Sequence, residues 1–209
     1  PRTRAVDSAE IENLPRLADT RDEIIAIAAT LKANPRRDVF LGEFASEAQV
    51  KSMDLTPYRV ISFATHGLVP GDLNGLDQPA LALSSPKVTH DNGDGLLTMN
   101  EILGLRLNAD IAVLSACNTA AADGQGAEAV SGLGRAFLYA GTKALVVSNW
   151  PVHSEATTEL MTRMFKSLAN DNTLTRAEAL RRTRLTMIDE GVFKVEGKVA
   201  FSYAHPIFW

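Results

Sequence analysis

Residues 109–152, ADIAVLSACNTAAADGQGAEAVSGLGRAFLYAGTKALVVSNWPV, contain two short apolar runs that flank one helical pattern. The runs at residues 110–116 and 144–148 are rich in aliphatic side chains, which predicts two buried strands. Between them, residues 128–140 predict a helix, and Gly141 suits the position that follows a helix C-terminus. A strand, a helix and a second strand in this order are typical of a parallel sheet.

The rest of the chain extends this alternation. Residues 58–65, YRVISFAT, predict a third buried strand, and shorter strands are expected over residues 39–41 and 80–83. Helix start signals and apolar spacing predict further helices over residues 20–34, 46–53, 98–105, 154–169 and 175–190. Buried strands separated by helices indicate an α/β fold, with a mostly parallel sheet that is covered by helices on both faces within a single domain.

The composition excludes several classes of protein. The chain has 209 residues, 45% of them hydrophobic, and a net charge of −4, which argues against nucleic acid or an anionic membrane as a partner. No apolar run approaches the roughly 18 residues of a membrane helix, and the first residues lack the apolar core of a secretory signal. The single cysteine excludes an internal disulfide and a zinc site with two thiolates. We therefore expect a cytoplasmic protein.

The two ends of the chain differ from its centre. Residues 1–18 are charged and irregular, so we expect a linker or an N-terminal arm there, followed by one domain over residues 19–209. The sequence begins with Pro1 and ends in the aromatic HPIFW, which would suit a core. We therefore expect that both ends are cut from a longer protein.

The predicted sheet indicates where chemistry should occur. Ligands of open parallel sheets bind at the carboxyl ends of the strands, which here follow residues 65, 116 and 148. This rule selects His66, Cys117 and the segment 149–154. A thiolate can attack an amide carbonyl while a neighbouring imidazole moves the proton, and backbone N–H groups at Gly67 and Cys117 could bind the oxyanion.

The residues alone leave two interpretations of this pair open. Cys117 follows His66 by 51 residues, and in caspases the catalytic His lies about 50 residues before the Cys. However, the local caspase signature around the Cys is absent here. A lone Cys at a strand end is commonly a small buried apolar residue, and a lone His is commonly held by a structural hydrogen bond.

Three blocks in a fixed order resemble the CHAT family of bacterial caspase-like domains: YRVISFATHG at 58–67, GLLTMNEILGLRL at 95–107, and the segment 109–152 quoted above. The similarity covers residues 16–209. It implies a caspase-like fold and a cysteine endopeptidase related to caspases and separases, with Cys117 as nucleophile and His66 as general base. It also implies an oxyanion site at the N–H groups of Gly67 and Cys117, a protein or peptide substrate, and no metal or organic cofactor. Because members often follow TPR repeats, gating by such a repeat domain or by a partner is expected.

Substrate preference is less clearly indicated. The resemblance implies that the pocket for the P1 residue draws on Ser115 and on the segment after the next strand, which holds Asn149, Trp150 and His153. Ser115 cannot supply the acid that some relatives use to bind a basic P1 residue. Two carboxylates in the loop after His66 remain candidates for that role, namely Asp72 and Asp77, although both also suit a solvated turn.

Other interpretations remain open at this point. Residues 90–101, HDNGDGLLTMNE, resemble an EF-hand loop, but His90 stands at the first ligand position and a polar turn leading into a helix cap explains the pattern equally. A non-catalytic signalling or scaffold module of the same fold is the main alternative to a peptidase. A flavodoxin-like ligand-binding domain would use the same strand ends, but no phosphate-binding loop is found.

Overall fold

The computed structural model describes residues 8–17, 19–115, 125–148 and 153–208. Within these ranges the strands are β1 (Val60–Phe63), β2 (Gly67–Leu68), β3 (Ala80–Ala82), β4 (Leu96–Thr98), β5 (Ile111–Leu114), β6 (Leu145–Val147), β7 (Val192–Val195) and β8 (Lys198–Ser202). The α-helices are α1 (Thr20–Thr30), α2 (Pro35–Asp38), α3 (Glu47–Ser52), α4 (Pro86–Thr89), α5 (Met99–Gly104), α6 (Gln125–Tyr139), α7 (Ser154–Asn170) and α8 (Arg176–Glu190). No described helix has the length and apolar character that a membrane span requires. The predicted α/β class is confirmed.

The main sheet is parallel, as the sequence predicts, and has the strand order β1-β5-β6. Phe63 of β1 lies opposite Leu114 of β5, which in turn lies opposite Val147 of β6. All four residues of β5 are buried, which explains why this strand is a continuous apolar run in the sequence. The carboxyl ends of the three strands therefore meet at one edge of the sheet.

Two smaller antiparallel sheets were not expected. One has the order β2-β3-β4, and the other is the hairpin formed by β7 and β8. Strands β2, β3 and β4 have only two or three residues each. The strand predicted over residues 80–83 is confirmed as β3. Its antiparallel partners β2 and β4 were not predicted, because segments this short cannot show the two-residue alternation by which a half-buried strand is recognised in a sequence.

The chain divides into two compact units. The first combines residues 1–17 with residues 40–151, and the second combines residues 18–39 with residues 152–209. In the first unit, a core of buried aliphatic and aromatic side chains joins the main sheet to α5 and α6, and it includes Leu81, Leu97, Ile102, Ala112, Leu114, Leu133 and Phe137. In the second unit, α7 packs against both α1 and α8.

The predicted strand at residues 39–41 is wrong, because no strand is present there. Asn34 caps α2 by accepting a hydrogen bond from the backbone N–H of Arg36 at 3.0 Å, which keeps the chain helical as far as Asp38. A 3-10 turn then begins at Gly42. The backbone is extended at Val39 and Leu41, but residues 39–41 join none of the sheets formed by the described residues.

Gly141 ends α6 as the sequence predicts, and its conformation admits no other residue easily. Its φ angle is 116°, and a Cβ atom at this position would lie 2.0 Å from the carbonyl oxygen of Leu107. Beside it, the N–H of Leu107 donates to the carbonyl oxygen of Ala140 at 2.8 Å. The close approach of these two segments therefore depends on the missing side chain.

We expect Gly141→Ala to lower the free energy of unfolding by about 2–4 kcal/mol, because the added Cβ atom would force the backbone away from Leu107. Gly104→Ala is the matched control, since no atom lies within 4 Å of a Cβ atom built there. The control should leave stability unchanged or raise it slightly. Thermal and urea unfolding of the three proteins measure both effects, and equal stability of the two variants would contradict the argument.

Candidate functional site

His66 lies where the chain passes from the parallel sheet to the small antiparallel sheet. Its backbone carbonyl oxygen accepts a hydrogen bond from the N–H of Ala82 at 2.9 Å. The hydroxyl of the preceding residue, Thr65, donates to the carbonyl oxygen of Ala82. Both bonds fix the backbone at the end of β1, so the position of the imidazole is determined by two sheets rather than by a free loop.

A hydrogen bond of the His66 imidazole determines which ring nitrogen carries the proton. Its Nε2 atom lies 2.7 Å from the backbone carbonyl oxygen of Pro15. Because a carbonyl oxygen can only accept a hydrogen bond, Nε2 carries the proton in this contact. In the neutral ring the lone pair is then on Nδ1, which is the atom that can accept a proton from a reacting group.

Pro15 belongs to a segment that we call the strap, residues 8–17. The strap begins with a 3-10 helix, Ser8–Asn13. Ile11 is 8% exposed and joins a buried cluster of aliphatic residues from the small antiparallel sheet and the loop before it, against which Leu14 also packs. The strap is therefore docked on the same unit that carries His66, and this docking brings the Pro15 carbonyl to the ring.

Gly67 has a backbone N–H that the small sheet does not use. In an antiparallel pair, hydrogen-bonded and non-hydrogen-bonded residue pairs alternate. His66 is bonded to Ala82, and Gly67 lies opposite Leu81 at the next position, which is the non-bonded one. Since β2 is an edge strand, the N–H of Gly67 points away from β3, as an oxyanion donor would require.

The second predicted catalytic residue follows β5. Ser115 extends the pairing of β5 with β1, because its N–H donates to the carbonyl oxygen of Phe63 at 2.9 Å, and Ser115 itself is 7% exposed. Cys117, Asn149 and Trp150 lie outside the described residues. Their roles as nucleophile, oxyanion donor and substrate contacts, like that of Ser115 in the P1 pocket, therefore remain predictions.

The two carboxylates after His66 differ in their surroundings. Asp72 accepts a hydrogen bond from the N–H of Val69 at 2.8 Å, so its carboxylate stabilises the turn of its own loop. Asp77 is exposed and has no ion pair or hydrogen-bond partner among the described residues. Of the two, Asp77 has the carboxylate that is free to meet a charged ligand.

His153 lies in the second unit, directly before α7. Its ring centroid is 4.9 Å from that of Phe193 and 5.3 Å from that of Phe201, both edge-on. Tyr203 and Phe208 complete this aromatic cluster. Edge-to-face contacts of this kind stabilise packing between rings, so His153 has a structural role in this unit, and its contact with a substrate remains a prediction.

In the loop that resembles an EF-hand, hydrogen bonds and ion pairs to other residues of the chain engage the carboxylates. Glu101 accepts hydrogen bonds from the N–H and the hydroxyl of Thr98, which completes the capping box of α5, and it also pairs with Lys51 at 2.7 Å. Glu47 accepts a hydrogen bond from the N–H of Asp94 at 2.9 Å. Burial raises the pKa of the Glu47 carboxyl, although the hydrogen bond from Lys51 acts in the opposite direction. Among the described residues, no group of three or more His, Cys, Asp or Glu could hold a metal ion.

Sequence reasoning missed the contribution of the strap to this site. The only available signal was the spacing of Ile11 and Leu14, three residues apart among polar neighbours, which is too short for a recognisable amphipathic pattern. A backbone carbonyl such as that of Pro15 has no signature in a sequence at all.

Comparison with known proteins identifies the family of the chain. The CHAT domain family model matches residues 4–209 of the chain, a range that includes the strap, both strand ends and the aromatic cluster. No curated protein matches the sequence. The match spans nearly the whole chain, and the chain therefore belongs to the CHAT domain family, whose members are caspase-like.

Proposed function

We propose that this chain is a cysteine endopeptidase of the caspase and separase type, with Cys117 as nucleophile and His66 as general base. The main support is the register of the parallel sheet. Phe63 lies opposite Leu114, and His66 and Cys117 each follow their paired residue by three positions. Two neighbouring parallel strands therefore end at the same edge of the sheet, and each proposed catalytic residue follows its strand by the same number of positions, which supports the pairing of the two.

The hydrogen bond from His66 to Pro15 supports the role of the base. With its proton on Nε2, the ring can accept the thiol proton of Cys117 at Nδ1. The positive charge that then develops on the ring is stabilised by the hydrogen bond that Nε2 donates to the Pro15 carbonyl, which is 2.7 Å away. This carbonyl would hold the ring in the role that an acidic side chain has in other triads.

In the proposed reaction, the Cys117 sulfur attacks the scissile carbonyl carbon and forms a tetrahedral oxyanion. The N–H groups of Gly67 and Cys117 would bind this oxyanion. His66 then returns its proton to the leaving nitrogen, the carbon–nitrogen bond breaks, and a thioester remains on Cys117. Water, deprotonated by His66, attacks the thioester and releases the acid product and the free thiol. The reaction needs no redox partner.

The biological setting is part of the proposal. A domain with one cysteine and a net charge of −4 suits the reducing bacterial cytoplasm and a protein substrate. We propose that an attached TPR domain or a partner controls access to the site, as the family resemblance implies. A non-catalytic scaffold role is the outcome if the two residues do not interact.

The first test uses Cys117 as its own reporter. Because it is the only cysteine, the rate of alkylation by iodoacetamide measures this thiol alone. An assembled pair should keep the thiol reactive well below the unperturbed thiol pKa of about 8.5, and His66→Ala should abolish that reactivity. His90→Asn is the control, since it removes another imidazole of the same unit at a φ of 56° that Asn tolerates. A wild-type profile indifferent to His66 would contradict the proposed base.

The second test concerns substrate preference. We expect Asp77→Asn to lower kcat/KM for peptides with Arg or Lys at P1 by about two- to fivefold, with little effect on peptides with an uncharged P1, because an ion pair with an exposed carboxylate is worth up to about 1 kcal/mol. Asp72→Asn removes the same charge from the same loop and serves as the control. Equal losses in the two variants would indicate a general electrostatic effect and would exclude Asp77 as the P1 contact.

A further inference from the structure

We propose that the strap, residues 8–17, is a regulatory latch: when it is docked, the Pro15 carbonyl keeps His66 in its base-competent form, and when it is displaced, this control is lost. The inference rests on the proposed function of His66. It concerns the regulation of that residue rather than its chemistry.

The polar anchors of the strap lie at the surface or are only partly buried, apart from Ser85, so water and salt can compete for most of them. Glu12 pairs with Lys87, whose side chain is 78% exposed, at 3.0 Å, and its other carboxylate oxygen accepts from the Ser85 hydroxyl at 3.2 Å. Glu10 accepts the N–H of Asn74 at 2.7 Å and also the side-chain amide of the same residue. Ion pairs at the surface are individually weak and compete with water, salt and other charged groups.

The apolar anchor of the strap is small. Ile11 is its one buried side chain among the described residues, with Leu14 partly buried beside it. The terminal carbon of Ile11 would lie 3.1 Å from a Cβ atom built on Gly95, so this side chain fits closely against the loop before β4. Segments with few buried apolar contacts and exposed hydrogen bonds are the first to open locally, while the cores behind them remain folded.

Opening of the strap would have a direct effect on the site. The carbonyl of Pro15 is the partner of His66 Nε2, and without it the ring proton can move to Nδ1, the atom that must accept the thiol proton. The strap ends at Leu17 and α1 begins at Thr20. A movement of α1, caused by a force or a binding partner, would therefore be transmitted to Pro15 through only a few residues of the chain.

Charge reversal at the latch tests this proposal. Glu12→Lys and Lys87→Glu each replace the attractive pair with a repulsive one, and the double variant restores an attractive pair in the opposite sense. We expect each single variant to reduce alkylation of Cys117 near pH 6.5 at least threefold and to shift its pH profile towards that of His66→Ala. The double variant should recover most of the wild-type profile. The melting temperature should stay nearly constant, because the Lys87 side chain is largely exposed, the Glu12 side chain is about one-third exposed, and such surface ion pairs contribute little to stability.

Hydrogen exchange at Leu14, whose N–H donates to the carbonyl oxygen of Ile11 at 3.1 Å, shows whether the strap has been displaced. If neither single variant releases it, Ile11→Asp removes the apolar anchor and is judged by the same alkylation profile. A released strap with an unchanged profile, or with a faster thiol, overturns the latch while the proposed peptidase pair stands. A wild-type thiol indifferent to His66→Ala overturns the proposed function and the latch with it.

Discussion

The pairing of β1 with β5 in parallel register is the constraint on which the remaining structure depends. All four residues of β5 are buried, and a shift of one residue would turn each of its side chains to the opposite face of the sheet. The register is therefore fixed by the core and not by the loops. Because Phe63 and Leu114 are paired, the points at which β1 and β5 end are fixed relative to each other by the sheet alone.

The small antiparallel sheet adds a second constraint at the same place. Ala82 of β3 binds the carbonyl of His66 and receives the hydroxyl of Thr65, so the chain that leaves β1 is held again within three residues. This arrangement explains why a histidine placed between two sheets can be both accessible and well oriented. It also leaves the next N–H, that of Gly67, unused by the sheet, because the alternation of bonded pairs directs it outward.

The sequence predicted those parts of the fold that depend on local patterns several residues long or on a helix-end signal. The apolar runs gave β1, β5 and β6, the Thr98–Glu101 capping box gave the start of α5, and Gly141 gave the end of α6. Of the short strands in the antiparallel sheet, β3 was predicted, over residues 80–83, whereas β2 and β4 were not, because two or three residues show no periodicity. The candidate site could be predicted only as far as side chains define it, and Cys117 lies outside the described residues. His66 and Cys117 are visible in the sequence, whereas the partner of the His66 ring is a backbone atom that only the folded chain brings into place.

That the acceptor on Pro15 is a backbone carbonyl determines how this part of the molecule can vary in evolution. Any residue supplies the same oxygen, so substitution at position 15 is tolerated wherever the backbone keeps its path. What the contact requires is instead a fixed length of chain between the buried Ile11 and the carbonyl. Related sequences should therefore show different residues at position 15 but a conserved spacing from the residue that corresponds to Ile11. An alanine scan would not detect the contact, because alanine supplies the same carbonyl oxygen. An insertion or deletion of one residue would disrupt it.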